Sequence, residues 1–388
     1  MAEVMISLLG GRPVPNMSAI LHLKPDCLYV VVSKDSLENY ERLVSALPDH
    51  LKPSQPYSVK PYNLSETIQC CEEIADQHQN DQITVVSASE PKTMGFGAYD
   101  VVKRLREKGR HIDMCYLSRE GLVWVFRDAD NFEPVKIKIG LSDYFASYGW
   151  IIKQKPEPDI RFQKLVSLLV QNLPVSHRLL RTLRSDDKGK GKRTNKSCLN
   201  NDEFAILQKI EELQIVSNLR RTGNETIWTI NSDEDAKFLL TGDWLEFLVY
   251  QIAFQLKNDQ GVPLFDECGW GVEDTSGKGE IDFAGIFSGQ MIVASCKTED
   301  GIKRTWFEEL HSKVEQLGRG MCSAMLVSSV SKSSRTNTDL ENYEKWARER
   351  QTVLVMAEDL PRLPDILKKI VTGDKNAEPI HIPCYARI

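Results

Sequence analysis

The sequence lacks several features that assign a protein quickly to a functional class. No apolar run approaches the roughly 18 residues of a membrane-spanning helix, and the opening MAEVMISLLGGRPVP has neither the basic region nor the cleavage site of a signal peptide. The nine cysteines form no CxxC pair and no zinc-site spacing with histidine. The dinucleotide-binding fingerprint GxGxxG is also missing. We therefore expect a cytoplasmic protein with reduced thiols, no membrane association and no nicotinamide cofactor.

Composition and charge narrow the class further. A chain of 388 residues with 41% hydrophobic and 27% charged residues is typical of a globular protein of roughly two to three domains. The net charge of −6 argues against a general nucleic-acid coat, because phosphate binding needs local positive charge. The stretch 178–196 is locally basic, with eight Lys or Arg and two Asp. A solvated linker is the favoured interpretation, and a phosphate-contacting arm is the alternative.

The first part of the chain alternates strand and helix patterns. Strands are predicted at 4–9, 27–33, 82–88, 112–117, 122–126 and 134–138, and helices at about 17–23, 36–47 and 65–80 and again after residue 89. This alternation predicts a parallel, Rossmann-like α/β sheet.

Two loops of this predicted sheet are candidates for ligand binding, because ligands of such sheets bind beyond the carboxyl ends of the strands. The loop 10–16 follows the first strand and contains Arg12, and the loop 87–97 follows a later strand and contains Lys92. Either loop could also be only a tight connection.

The middle of the chain is less regular. Residues 150–200 have a linker-like composition interrupted by a helix at about 160–172. A helix at about 201–213 then precedes two strands around Gly223-Asn224, a pattern found both in the wing of winged-helix DNA-binding modules and in many small α+β connectors.

The last part of the chain has the predicted order α-β-β-α-β-α-β. Its stretch GEIDFAGIFSGQMIVASCKT contains two apolar runs around a Ser-Gly pair, which predicts a β-hairpin with a two-residue loop. In that register Asp282 lies opposite Ser295, and Glu280 lies opposite Lys297. The four polar side chains then share one face at one end of the hairpin.

Carboxylates clustered with a lysine at a sheet end can hold a divalent cation and stabilise charge on a phosphate. The alternative is a cross-strand ion pair between Glu280 and Lys297 on a solvated face. On the preceding apolar helix, Glu246 needs a partner or a metal if it is buried, although a glutamate in the first turn also suits the helix dipole.

This arrangement, with a Glu on the first helix, an Asp on the first hairpin strand and a lysine on the second, resembles the PD-(D/E)xK nuclease superfamily. The segments SLLGGRPVPNMSAILHLKPDCLYVVVS and ASEPKTMGFGAYDVVKR resemble the CRISPR-associated Rossmann-fold (CARF) sensor domain. Together they resemble the CARF-plus-nuclease effectors of type III CRISPR defence, with a sensor domain at 1–145, a linker at 146–235 and a nuclease domain at 236–388. Relatives of this class are activated by cyclic oligoadenylate and cut DNA, RNA or both.

The resemblance implies specific roles in the nuclease part. Glu246 and Asp282 would bind Mg²⁺ or Mn²⁺, and Lys297 would steady the attacking water or the developing phosphorane charge. Ser295 occupies the second acidic position of the superfamily, and a hydroxyl is a poorer Mg²⁺ ligand than a carboxylate. Glu280 could supply the missing anion. Ile281 stands where the superfamily has proline.

For the sensor part, the resemblance implies a homodimer that binds cyclic tetra-adenylate across its two-fold axis. Ring size stays open, because SEPKTMG replaces the usual TGGTK-like stretch. The candidate ligand-binding residues are Gly11, Arg12, Pro13, Asn16, Ser33, Lys92, Thr93 and Met94. Two alternatives remain: a ligand-controlled nucleic-acid-binding regulator with a degenerate nuclease core, and a ring nuclease that degrades its own activator.

Overall fold

The structure is a computed structural model that describes residues 1–53, 55–118, 121–126, 134–187, 189–318 and 320–373. The chain forms two compact units. The first comprises Met1–Ile152 with the short segments Asp274–Lys278 and Ile286–Met291, and the second comprises the rest of the chain. Within the described ranges, no helix is long and apolar enough to cross a membrane.

A mostly parallel sheet forms the centre of the first unit. Its strands are β1 (Glu3–Leu9), β2 (Cys27–Ser33), β3 (Tyr57–Val59), β4 (Gln82–Ser87), β5 (Ile112–Leu117) and β6 (Leu122–Trp124). They lie in the order β3-β2-β1-β4-β5-β6, and only the β5–β6 pair among these neighbours is antiparallel. The predicted Rossmann-like sheet is thereby confirmed. In the stretch predicted as a strand at 134–138, Val135 makes an isolated bridge to Leu122.

The helices of the first unit shorten both candidate loops. They are α1 (Pro13–Leu23), α2 (Leu37–Ala46), α3 (Leu64–Gln77), α4 (Lys92–Glu107) and α5 (Leu141–Ser147). Helix α1 begins four residues before the predicted start near Met17, because Pro13 suits the first helical position, where the missing N–H is not needed. The loops that remain are 10–12 and 88–91.

The middle of the chain, which has a linker-like composition, forms helices and strands. Its elements are β7 (Ile152–Lys153), α6 (Ile160–Gln171), α7 (Leu173–Asp186), β8 (Arg193–Ser197), α8 (Asn201–Glu212), β9 (Val216–Thr222) and β10 (Glu225–Ile230). Helix α7 is basic on one side, but Leu179, Leu180 and Leu183 are buried on the other. Strand β8 pairs with β10, which also pairs with β9 in the predicted hairpin.

The remaining elements build the second large sheet. They are α9 (Asp233–Ala236), continued by a π-helical turn at Lys237–Thr241, then α10 (Asp243–Gln255), β11 (Glu267–Asp274), β12 (Glu280–Phe287), β13 (Gln290–Lys297), α11 (Arg304–Gln316), β14 (Cys322–Ser328), α12 (Asn337–Glu349), β15 (Thr352–Val355) and α13 (Leu363–Thr372). The strand order is β15-β14-β13-β12-β11-β7. The predicted order of elements is present, with β11 and α13 in addition.

The hairpin loop is where the sequence places it. Strand β12 ends at Phe287 and β13 begins at Gln290, so Ser288 and Gly289 form the loop. Both loop residues have positive φ, 47° and 70°, which is the backbone of a type I′ turn. That turn carries the polar ends of both strands to the same end of the hairpin.

Candidate functional site

The first turn of α10 carries two buried acids that share one lysine. Helix α10 begins at Asp243, directly after Gly242, whose φ of 123° a residue with a side chain would rarely adopt. Asp243 and Glu246 are three residues apart and therefore lie on one helix face. The Lys155 Nζ lies 3.2 Å from the Asp243 Oδ1 and 3.0 Å from the Glu246 Oε2. It is also 3.7 Å from the Glu280 Oε1.

The hairpin supplies the second half of the site. The Asp282 Oδ2 accepts hydrogen bonds from the Cys296 backbone N–H at 2.6 Å and from the Ser295 hydroxyl at 3.2 Å. The Lys297 Nζ lies 3.6 Å from the same oxygen. The Asp282 side chain is only 13% exposed. These contacts fix the carboxylate on the face that β12 and β13 share.

The charges of the two halves act on each other. Burial, and after it the negative charge of Asp282, raises the pKa of Glu246 to about 7, although Lys155 opposes that shift. Burial alone would lower the pKa of Lys155, but the Glu246 and Asp243 carboxylates outweigh it and raise that pKa. Burial also raises the pKa of the Cys296 thiol well above its usual range, and both Asp282 and Glu246 add to the effect. The carboxylates of α10 and of the hairpin therefore form one electrostatic cluster.

A small cavity of about 30 Å³ adjoins Asp282, Ser295, Lys297 and Lys313. That volume is sufficient for one water molecule. The Lys313 ammonium donates to the Glu280 backbone carbonyl, and burial lowers the pKa of Lys313. The short Ser295 side chain is part of its lining.

The oxygen-rich donor set fits a hard divalent cation. Glu246 and Asp282 offer carboxylate oxygens, the ligands that Mg²⁺ and Mn²⁺ prefer, and the cluster already holds the cationic Lys155 ammonium. Within the residues that the structure describes, no group of three or more His, Cys, Asp or Glu side chains has the arrangement of a metal site. The acids of α10 point instead at Lys155.

The predicted residues of the nuclease part lie near one another. Asp282, Ser295 and Lys297 are in direct contact or within 4 Å of a shared oxygen, as expected from the hairpin. Glu246 and Glu280 meet through Lys155. Lys297 is close to Asp282 and Glu280 is close to Lys155, so the ion pairs differ from the cross-strand pair weighed above. Their catalytic and metal-binding roles stay predictions.

The sequence reasoning missed two members of this cluster. Asp243 is not among the predicted site residues, although its spacing of three residues from Glu246 signals a shared face. Lys155 lies in the stretch KQKPEPD, 88 residues before Asp243, and no local pattern connects the two.

A partly buried arginine joins the backbones that carry the two halves of the site. The Arg184 guanidinium on α7 donates to the Leu240 carbonyl at 2.6 Å, to the Thr298 carbonyl at 3.0 Å and to the Thr298 Oγ1 at 3.0 Å. Leu240 lies just before Asp243, and Thr298 directly follows Lys297. Arg184 is therefore a structural anchor for both.

A larger cavity of about 800 Å³ opens beyond the carboxyl ends of β13 and β14. Its apolar lining residues are Val170, Leu173, Pro174 and Pro361. His177, Arg178, Arg181 and Arg335 supply positive charge or hydrogen-bond donors, and Asp300 lies 3.9 Å from Arg181 and 3.6 Å from His177. An apolar lining beside arginines suits a nucleobase attached to phosphates.

The two candidate ligand-binding loops of the first unit are joined by hydrogen bonds to Asn16 and Ser89. Asn16 is fully buried, and its Nδ2 donates to the Ser7 Oγ and to the Leu8 carbonyl, both at 2.8 Å. Its Oδ1 accepts from the Ser89 Oγ at 3.0 Å, and that hydroxyl oxygen accepts from the Gly10 N–H at 3.1 Å. The two predicted loops therefore meet.

An acid missed by the sequence reasoning organises the second loop. The Glu90 Oε2 accepts from the backbone N–H groups of Ala88 and Ser89, at 2.8 and 3.0 Å, and the Ser87 hydroxyl donates to its other oxygen. Burial raises the pKa of Glu90 despite these hydrogen bonds.

The candidate sensor residues divide by accessibility. Gly11, Arg12 and Lys92 are exposed, and Thr93 is partly exposed at the start of α4. The buried members of the set are Pro13, Asn16, Ser33 and Met94. Met94 belongs to the apolar core, and Ser33 shares a hydrogen bond with Ser36. Ligand binding by any of them stays a prediction.

Comparisons with known proteins give one family match and several structures with the same fold. Residues 233–372 match the Card1-like endonuclease domain family. No sequence among curated proteins matches the chain. The protein VC1899 from Vibrio cholerae is 19% identical, with a TM-score of 0.72, over 96% of this chain and 98% of that one.

Two further solved structures share the fold. Can2 from Sulfobacillus thermosulfidooxidans, in complex with cyclic tetra-adenylate, is 15% identical with a TM-score of 0.67, over 95% of this chain and 97% of that one. A type III CRISPR defence DNA nuclease activated by cyclic oligoadenylate is 14% identical with a TM-score of 0.52, over 84% of this chain and 45% of that one. Residues 233–372 thus match a Card1-like endonuclease domain, and the chain shares its fold with VC1899 and Can2 over nearly its whole length.

Proposed function

We propose that this protein is a divalent-metal-dependent nuclease of type III CRISPR defence that is switched on by a cyclic oligoadenylate. The observation that supports it most is the cluster in which Glu246 and Asp282 influence each other electrostatically while Lys297 lies 3.6 Å from Asp282. Two neighbouring carboxylates can hold a divalent cation, and a lysine can stabilise the charge that develops on a phosphate during phosphodiester hydrolysis. The match of residues 233–372 to an endonuclease family supports the same reaction.

In the proposed mechanism, Glu246 and Asp282 hold Mg²⁺ or Mn²⁺. The bound ion would supply Lewis-acid stabilisation of phosphate charge and would lower the pKa of a water molecule. Lys297 orients the attacking water and stabilises the negative charge that develops on the phosphorus oxygens. The Cys296 N–H and the Ser295 hydroxyl hold Asp282 in place. The cavity beside Ser295 gives the attacking water room.

The proposed substrate is DNA or RNA. The 800 Å³ cavity offers Arg178, Arg181 and Arg335 for phosphates and apolar lining residues for a base. It is joined to the cluster through the backbone, because the Ser329 N–H at its edge donates to the Lys297 carbonyl at 3.1 Å. A strand bound there would lie near the backbone that carries Lys297.

The proposed activator is cyclic tetra-adenylate, bound by a homodimer of the sensor domain at 1–145. Arg12 and Lys92 are the exposed cations next to the two loops, and Lys92 begins α4, whose N-terminal amides suit a phosphate. The ligand must bind the active arrangement more tightly than the inactive one, because equal affinity shifts no population. The boundaries 146–235 and 236–388 for the other two domains are part of this proposal.

The test is cleavage of plasmid DNA and single-stranded RNA with Mn²⁺, with and without cyclic tetra-adenylate. The parent should cleave at least one substrate, with activator-dependent rates, and Asp282→Ala should lose at least about 100-fold of its activity. Glu341→Ala removes an exposed acid from α12 and is the matched control. Ligand-dependent, salt-sensitive DNA binding without cleavage under any metal would instead favour a regulator with a degenerate core.

A further inference from the structure

Lys155 packs closely against two residues of β11, Trp270 and Gly271. Its backbone N–H donates to the Trp270 carbonyl at 3.2 Å, and its ammonium lies 5.0 Å from the centroid of the Trp270 ring. Gly271, with a φ of 52°, lines the side-chain stem so closely that an added Cβ would lie 2.3 Å from the Lys155 Cδ. The Lys155 side chain is only 20% exposed.

The ammonium neutralises the acids that are available for a metal. It lies within 4 Å of Asp243, Glu246 and Glu280. A divalent cation binds carboxylate oxygens at about 2.0–2.6 Å, so it cannot share Glu246 with an ammonium 3.0 Å away without strong repulsion between the two cations. Glu246 therefore binds either the ammonium or the divalent cation.

The position of Lys155 in the chain allows it to leave. It follows β7 in the stretch 154–159, which has no helix or strand hydrogen-bonding pattern. Because the side chain is packed against Gly271 and the Trp270 ring, the ammonium leaves together with this short stretch. That movement breaks the backbone hydrogen bond to Trp270 without disrupting a helix or a strand.

We propose that Lys155 is an internal counter-ion that occupies the carboxylate cluster in the metal-free protein and must leave when the divalent metal binds. This inference rests on the proposed function of the same cluster and adds that Lys155 regulates metal binding there. Metal affinity is reduced by the cost of displacing the ammonium. Metal binding and the position of the 154–159 stretch are thereby coupled, each favouring one state of the other.

The first experiment measures Mn²⁺ affinity by isothermal titration calorimetry. Lys155→Met keeps the apolar stem and removes the charge. Because Mn²⁺ then no longer has to break a charge-assisted contact between the ammonium and the acids, we expect its dissociation constant to fall about tenfold. Lys153→Met, an exposed lysine two residues away, should leave the constant unchanged. Equal or weaker Mn²⁺ binding by Lys155→Met would overturn the proposal.

The second experiment uses the parent and needs no variant. Hydrogen exchange at the Lys155 amide should accelerate when Mn²⁺ is added, because the bond to Trp270 opens. Unchanged or slower exchange in a parent that binds Mn²⁺ would contradict the inference and leave the nuclease proposal standing. If neither the parent nor Lys155→Met bound Mn²⁺, both proposals would fail. Mn²⁺ binding by Lys155→Met but not by the parent would support the role of Lys155 as a counter-ion.

Discussion

Placing an acid at position 295 gives a quantitative test of the site. The Ser295 Oγ lies 3.2 Å from the Asp282 Oδ2, so Ser295→Asp places a second carboxylate about 4 Å from the first. Two like charges at that distance repel by about 4 kcal/mol at an effective dielectric constant of 20. Lys297, 3.6 Å from Asp282, offsets much of this. We expect the metal-free variant to lose about 1–3 kcal/mol of unfolding free energy.

Divalent metal should reverse that loss, because the added carboxylate becomes a ligand. A tenfold tighter site adds about 1.4 kcal/mol of stabilisation at the same saturating metal concentration. The assay is chemical unfolding across a Mn²⁺ titration. Ser295→Asn is the matched control, since it has the shape of the aspartate without its charge. Equal Mn²⁺ stabilisation of the Asp and Asn variants would refute the placement of the metal beside position 295.

Three further predictions concern pH, substrate and sensor. In the metal-free protein the pKa of Glu246 is about 7, above its ordinary 4.5. Its contribution to stability is therefore greatest below pH 4.5 and is lost as the pH rises to 7, by up to about 3 kcal/mol. Glu246→Gln should remove this pH dependence of the unfolding free energy between pH 5 and 8. Arg178→Ala combined with Arg181→Ala should weaken metal-free binding of single-stranded nucleic acid and reduce its salt slope by about 1–2, and an unchanged slope would contradict a role for the large cavity. Arg12→Ala should weaken cyclic tetra-adenylate binding in calorimetry with little change in melting temperature, whereas Asn16→Ala should lower the melting temperature because it removes three buried hydrogen bonds.

The elements with strong apolar periodicity could be predicted from the sequence alone. The strands beginning near residues 4, 27 and 82 and the hairpin with its two-residue loop follow directly from apolar alternation and turn chemistry. Once the hairpin is placed, the shared face of Asp282, Ser295 and Lys297 follows from the pleat of a strand.

Other parts could not be predicted because their stabilisation is tertiary. Strand β11 contains Gly269 and Gly271 and has weak intrinsic strand preference, yet it lies between two other strands of the sheet. Helix α7 was not predicted, because its arginines give the stretch the basic composition of a solvated linker. Lys155 reaches the carboxylates from far along the chain, and no local rule relates a lysine to an acid 91 residues away.

The most direct test of the central claim is the location of Mn²⁺ in crystals of the protein, found from its anomalous scattering. The account predicts a peak in coordination contact with carboxylate oxygens of Glu246 and Asp282, with Lys297 retained nearby and the Lys155 ammonium moved out of the cluster. A peak elsewhere, or Mn²⁺ absent from the cluster at concentrations that support cleavage, would contradict it.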